Sequence, residues 1–150
     1  MQAEADPGPG PDCGPVDWRR GPGAGSYARP ERERRFLVIA DPPSRVGERQ
    51  VEDCYLTGTT LRLRHVRVGG ESVYKLTQKV RINADDPAAV SLTNTYLSAE
   101  EHALLSGLPG RLVVKTRSVC QVGNHAFVVD EFHGHLDGLR LAEVEVRDLG

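Results

Sequence analysis

The sequence predicts a mainly β protein (α+β), an antiparallel sheet with at least one flanking helix, and three observations carry that prediction. Eight segments rich in Val, Leu, Tyr, Thr or Phe recur along the chain, mostly separated by Gly, Asp, Asn or Pro. Val68-Gly69-Gly70-Glu71 and Gly123-Asn124 read as hairpin turns, which favours antiparallel order. In several segments charged residues alternate with apolar ones at period two, the spacing that puts successive side chains on opposite faces of a strand.

The elements follow in order. A first strand over about residues 31 to 39 places Glu31, Glu33 and Arg35 on one face. A second, over about 50 to 57, contains Tyr55-Leu56, and Glu48, Arg49, Glu52 and Asp53 around its start read as a solvated edge. In the third, about 59 to 68, Leu61 and Leu63 oppose Arg62 and Arg64; in the fourth, about 72 to 82, Lys75, Thr77, Lys79 and Arg81 oppose Tyr74, Leu76, Val80 and Ile82. The fifth, about 89 to 97, holds Ser91-Leu92-Thr93-Asn94-Thr95-Tyr96 and no carboxylate on either face. A helix follows: Ser98 and Glu101 have capping-box spacing, Ala103, Leu104 and Leu105 supply apolar positions, and Gly107 and Pro109 stop it. The sixth strand, about 111 to 120, sets Arg111, Val113, Lys115 and Arg117 against Leu112, Val114 and Thr116, a less clean separation. A seventh runs over about 125 to 132, and the eighth, about 140 to 147, opposes Glu143 and Glu145 to Val144 and Val146.

Composition bounds the function. With 150 residues, 39% hydrophobic and 27% charged, the chain fits one globular domain plus unstructured sequence. Residues 1–28, with Pro7-Gly8-Pro9-Gly10-Pro11 and Gly21-Pro22-Gly23-Ala24-Gly25, are expected to form a disordered tail, and residues 29–150 the domain. Trp18, next to Arg19 and Arg20, reads as incidental rather than as a short docking element. A formal net charge of -2 argues against a nucleic-acid binder, so the positive charge that matters is local. No apolar run reaches membrane-helix length and the N-terminus lacks a signal-peptide core, so no membrane partner and a cytoplasmic location are expected. Cys13, Cys54 and Cys120 have neither Cys-x-x-Cys nor metal-ligand spacing; Cys54 and Cys120 read as small packing residues. His133-Gly134-His135 has no third ligand placed by sequence, His65 and His102 fall on a strand and on the helix surface, and Ser118 beside Cys120 lacks a catalytic arrangement.

The clustering of charge suggests more than a solvated face. Like charges 6 Å apart at an effective dielectric near 20 repel by about 3 kcal/mol. Several arginines and lysines facing each other therefore need carboxylates and a bound polyanion to offset them. A sheet curled into a barrel with a charged, water-filled interior makes such a set useful. Basic walls would grip phosphate oxygens, and clustered Glu oxygens would hold a hard divalent cation.

At these residues the chain resembles the CYTH proteins, also called triphosphate tunnel metalloenzymes. The family's Glu-x-Glu-x-Lys signature with a following Phe-Leu-Val is reproduced in Glu31-Arg32-Glu33-Arg34-Arg35-Phe36-Leu37-Val38, with arginine replacing lysine. The similarity continues through Tyr55-Leu56, Leu61-Arg62-Leu63-Arg64, Tyr74-Lys75-Leu76-Thr77-Gln78-Lys79, Lys115-Thr116-Arg117, Val129-Asp130-Glu131-Phe132 with Gly134, and Leu141-Ala142-Glu143-Val144-Glu145. It spans about residues 31 to 147 in the family's order.

The resemblance implies an eight-stranded antiparallel tunnel-like barrel that binds a triphosphate with Mg2+ or Mn2+. Family members hydrolyse inorganic triphosphate, thiamine triphosphate or nucleoside triphosphates, and some are adenylate cyclases. Carried over to this chain, Glu31, Glu33, Glu143 and Glu145 would be metal ligands, with Asp130 as a further ligand or its partner. Arg35, Arg62, Arg64, Lys79, Lys115 and Arg117 would bind the triphosphate, and Lys75 joins them through its shared parity with Lys79. Glu143 or Glu145, with Lys79, would be the catalytic groups. Both Arg62 and Arg64 are expected to serve the anion rather than the fold. The family commonly carries Glu-x-Glu on the fifth strand, absent here, and runs further past Glu145, so the acidic wall is expected to be shorter. Triphosphate hydrolysis is the leading expectation; a noncatalytic polyphosphate or nucleotide binding module is the alternative, and adenylate cyclase a third.

Overall fold

The computed structural model describes residues 20–146. Most of the expected tail, with Cys13 and Trp18, and the last four residues lie outside the described residues. Eight strands appear, β1 (Arg29–Leu37), β2 (Arg45–Leu56), β3 (Leu61–Val68), β4 (Glu71–Arg81), β5 (Ala89–Leu97), β6 (Gly110–Val122), β7 (His125–Phe132) and β8 (Arg140–Glu145), with a helix α1 (Ala99–Leu105) between β5 and β6. They close into a barrel in the order β1-β5-β4-β3-β2-β6-β7-β8, every neighbour antiparallel.

Local chemistry explains the connections. Gly69 and Gly123 open two-residue hairpin loops at φ +57°, a conformation that side chains with a Cβ rarely adopt. α1 starts on the expected capping box: Glu101 N donates to Ser98 Oγ at 3.1 Å and Ser98 N donates to Glu101 Oε1 at 2.9 Å. β2 begins at Arg45, earlier than the sequence pattern suggests, because a register shift between Val46 and Arg49, with Gly47 at φ +66°, carries the strand past residues that break the alternation.

Closure depends on β1, which changes partner along its length. Arg29 to Arg32 pair with β5, and Glu33 to Leu37 pair with β8. The expected solvated edge holds for Glu48 and Arg49, which are exposed and precede the β3 pairing that starts at Gln50, and is corrected for Glu52 and Asp53, which lie between β3 and β6, with Asp53 fully buried. Because the charged faces point inward, much of the apolar packing lies outside the barrel wall. Cys120, Val129 and Ala142 form a small core with Val38 and Phe127, and Cys120 Sγ donates to Pro43 O at 3.1 Å. On the other side Leu63 is buried, while the His102 ring of α1 lies tilted 4.8 Å from Tyr74 and 5.7 Å from His65, which stack on each other at 4.5 Å.

The β2–β6 seam leaves no room at Gly110, where a Cβ would collide with Cys54 Sγ and lie 2.9 Å from Tyr55 O. Gly110→Ala should therefore cost about 1–3 kcal/mol, since the obstacle includes backbone. Urea unfolding of the two proteins measures it; equal midpoints would show that the seam yields freely.

Candidate functional site: a charged tunnel

Strand parity and barrel closure together build the interior. A tunnel of about 400 Å3 is lined by Glu31, Glu33 and Arg35 from β1, Tyr55 from β2, Arg62 and Arg64 from β3, Lys75 and Lys79 from β4, and Leu92 and Asn94 from β5. Lys115 and Arg117 of β6, Asp130 and Phe132 of β7, and Leu141 and Glu143 of β8 complete it. Every residue singled out from the sequence thus lines the tunnel except Glu145, which lines an adjoining cavity with Glu31, Glu33 and Glu143. In the β1/β8 register Glu33 stands opposite Glu145, and Arg35 opposite Glu143.

Two buried carboxylates organise the basic wall. Arg64 clamps Asp53 with both prongs of its fork, Nε to Oδ1 at 2.7 Å and Nη2 to Oδ2 at 2.8 Å, while Arg62 Nε and Lys115 Nζ stand 3.7 Å away. Asp130 accepts from Arg117 Nε and Nη2 at 2.7 Å each and from Lys115 Nζ at 2.7 Å. Burial alone would raise both carboxyls, but the hydrogen bonds and charge of Arg64 hold Asp53 below the usual range, and those of Arg117 and Lys115 do the same for Asp130. With both oxygens already occupied by cations, Asp130 is placed as a partner of Arg117 and Lys115.

The opposite wall is acidic and more exposed. Lys79 Nζ lies 2.8 Å from Glu31 Oε2 and 3.7 Å from Glu33 Oε2, and Arg35 donates from Nε to Glu143 Oε1 at 2.7 Å. Arg117 Nη2 approaches Glu143 Oε2 at 3.6 Å, joining the two walls. Burial raises the Glu33 carboxyl, opposed by Lys79 and reinforced by Glu143 and Glu31. Lys75 is lowered by burial and then by Arg64, Arg62 and Arg117, with Asp53 acting against the shift. Lys115 is lowered by burial despite Asp130.

Among the described residues two buried side-chain polar atoms make no hydrogen bond, Arg62 Nε and Glu31 Oε2, the latter ion-paired with the Lys79 ammonium. A buried N–H without an acceptor is costly unless a ligand supplies one. The structure therefore separates the two arginines that the sequence treats alike: Arg64 is bound to Asp53, whereas Arg62 retains an unspent donor.

The oxygens of Glu31, Glu33, Glu143 and Glu145 are hard donors of the kind Mg2+ or Mn2+ takes, and the unbonded Glu31 Oε2 fits that use. Among the described residues no three acidic, His or Cys side chains converge as a cage. His133 is not part of the donor set: its Nε2 lies 2.7 Å from Thr116 Oγ1.

Asp53, Tyr55 and Asn94 were not singled out as site residues from the sequence. Asp53 shares the parity of Tyr55, and its place opposite Arg64 requires the β2–β3 register, which no local pattern supplies. Asn94 accepts from Thr77 Oγ1 at 2.7 Å through Oδ1, at the level where an acidic pair was noted as missing.

Asp53→Asn should cost about 3–5 kcal/mol, because it leaves Arg64 buried without its counter-charge. The folded carboxyl lies below the unfolded value near about 3.9, so its contribution is complete above that pH and lost as pH falls through the folded pKa. Denaturant midpoints across the acid range should show wild type losing stability there more steeply than Asp53→Asn; parallel curves would contradict the assignment.

No protein-family model matches the chain, and no curated protein matches its sequence. Solved structures do. A structure described as the inorganic triphosphatase NE1496 is 28% identical, covering 77% of this chain and 73% of that one at a TM-score of 0.50. A second structure of NE1496, described as a hypothetical protein, is 27% identical over 79% and 78% at 0.52. The Pyrococcus horikoshii protein PH1819 shares the fold at 21% identity, over 79% and 80% at 0.57. The closed eight-stranded antiparallel barrel and its likeness to these structures are consistent with a CYTH domain.

Proposed function

We propose that this protein binds a triphosphate in the tunnel and hydrolyses its terminal anhydride with the help of Mg2+ or Mn2+. The observation that carries the reading is the buried Arg62 Nε without an acceptor, set in a wall of seven cationic side chains against four carboxylates in the tunnel lining. A polyanion supplies both the missing acceptor and the missing charge. The likeness to a structure described as an inorganic triphosphatase supports the same reading.

The residues divide the work by what already holds them. Arg64, Lys115 and Arg117 are fixed by Asp53 and Asp130 and present their remaining N–H groups at set positions. Arg62 donates its free Nε–H to a phosphate oxygen, and Lys75 regains full charge preference when an anion offsets its neighbours. Lys79 neutralises charge at the terminal phosphoryl as the P–O bond breaks. Glu143 or Glu145 takes the proton of the attacking water. Glu31 and Glu33, with Glu143 or Glu145, would hold the divalent cation, which supplies Lewis acidity toward phosphoryl oxygens when bound. Leu92 and Asn94, facing the tunnel from β5 without a carboxylate, favour a second reading in which triphosphate is bound without turnover.

Phosphate release from inorganic triphosphate, ATP and thiamine triphosphate, with and without metal, decides between them. Hydrolysis should require metal and fall at least about 100-fold in a Glu31→Gln, Glu33→Gln double variant, the scale on which lost transition-state electrostatics acts. Activity unchanged in that variant would sink the assignment. Metal-independent binding with no phosphate release would select the second reading.

Arg62→Ala should weaken triphosphate binding by about 1.5–3 kcal/mol, the worth of a hydrogen bond to a charged group, with little change in melting temperature. Arg64→Ala should lose stability as well as affinity, since it strips Asp53 of its clamp. Melts and binding isotherms on the same samples check both; equal destabilisation by the two would mean that Arg62 is also structural.

A further inference from the structure

A second cavity, about 430 Å3 in volume, opens beside the tunnel and shares Leu92 and Asn94 with it. Its other lining residues are Ser26, Tyr27, Arg29 and Tyr96. Tyr27 and Tyr96 are 84% and 70% exposed, an unusual placement for two aromatic rings around one concavity. Tyr96 lies opposite Lys75 in the β4–β5 register, and Lys75 Nζ stands 5.7 Å from its ring centroid, so an aromatic surface borders the phosphate-facing lysine directly.

Tyr27 is brought there by the segment before β1, which is tied to the barrel. Ser91 Oγ donates to Gly23 O at 2.6 Å, Ala28 N donates to Gly25 O at 3.0 Å, and Arg20 Nη1 donates to Ser26 Oγ at 2.9 Å. Gly23, at φ +82°, sits so close to the wall that a Cβ would lie 3.0 Å from Val80 Cβ. Asn94 spends Oδ1 on Thr77, and its Nδ2 has no partner among the described residues, leaving an amide donor beside the two rings. Two aromatic ring faces and an amide donor, with Arg29 as the cation of the same lining and the tunnel beside them, match an aromatic heterocycle joined to phosphates.

We propose that Tyr27 and Tyr96 form a stacking subsite for an aromatic heterocycle carried on the triphosphate, so that the chain prefers such an organic triphosphate over inorganic triphosphate. The inference rests on the tunnel binding triphosphate. In it the phosphates lie along the basic wall, Lys75 marks the exit, and the organic group leaves the tunnel over Tyr96 with Tyr27 facing it.

Calorimetric affinities of wild type, Tyr27→Ala, Tyr96→Ala and Tyr96→Phe for inorganic triphosphate, a nonhydrolysable ATP analogue and thiamine triphosphate test it. Wild type should bind at least one organic triphosphate more tightly than the inorganic one, and either alanine variant should shrink that ratio roughly tenfold, in keeping with the loss of one aromatic stacking partner. Tyr96→Phe should keep it, and the two organic ligands show which ring the cavity takes. Inorganic triphosphate bound as tightly as both organic ligands, or a ratio that the alanine variants leave unchanged, would overturn the subsite while leaving the tunnel reading standing. Failure of wild type to bind any of the three would overturn both.

Discussion

Crowding of like charge inside one barrel is the constraint on which the rest of this structure depends. Arg35, Arg62, Arg64, Lys75, Lys79, Lys115 and Arg117 all face the same tunnel. Buried cations persist only where carboxylates or a ligand compensate them. Asp53 and Asp130 do so for Arg64, Arg117 and Lys115 at buried positions, and Glu31 and Glu143 do so at equally short range but more exposed positions for Lys79 and Arg35. Arg62 and Lys75 are left with the least compensation: one keeps an unpaired donor, and the other has its charged form disfavoured by burial and three arginines. The surplus lies in the tunnel lining, where the bound triphosphate of the proposed function would offset it.

That arrangement fixes the architecture around it. A charged interior pushes apolar packing outward, so the hydrophobic clusters lie between the barrel wall and its coverings, such as the segment around Pro43 on one side and α1 on another. Closure is equally necessary, because an open sheet would leave the charged face and its ladder groups at an edge. β1 achieves it by pairing with β5 in its first half and β8 in its second, which brings Glu33 beside Glu145 and Arg35 beside Glu143. The acidic and basic walls are thus products of register, not of proximity in sequence.

What could be read from the sequence follows the same division. Segments rich in Val, Leu, Tyr, Thr or Phe between turn residues located all eight strands, period-two alternation put Arg62, Arg64, Lys75, Lys79, Lys115 and Arg117 on charged faces that the structure turns inward, and Ser98 with Glu101 located the helix. Register could not be read. Asp53 sits beside Glu52, so either parity carries a carboxylate, and only the pairing of Asp53 with Arg64 shows which one is buried. Arg62 and Arg64 are identical as sequence signals, yet one is clamped and the other is not, a difference set by a single facing carboxylate. Trp18 and Cys13 lie outside the described residues.

Under the proposed function, metal and triphosphate would share one electrostatic site, the anion offsetting the basic wall and lending its oxygens to the cation. Titration of Mn2+ into the protein by calorimetry, first alone and then with a saturating nonhydrolysable triphosphate analogue, measures that coupling directly. The account predicts weak binding alone and a coupling of at least about 1–3 kcal/mol with the analogue, matched by the same gain in analogue affinity when metal is present. Tight metal binding without the analogue, or no enhancement in its presence, would contradict it.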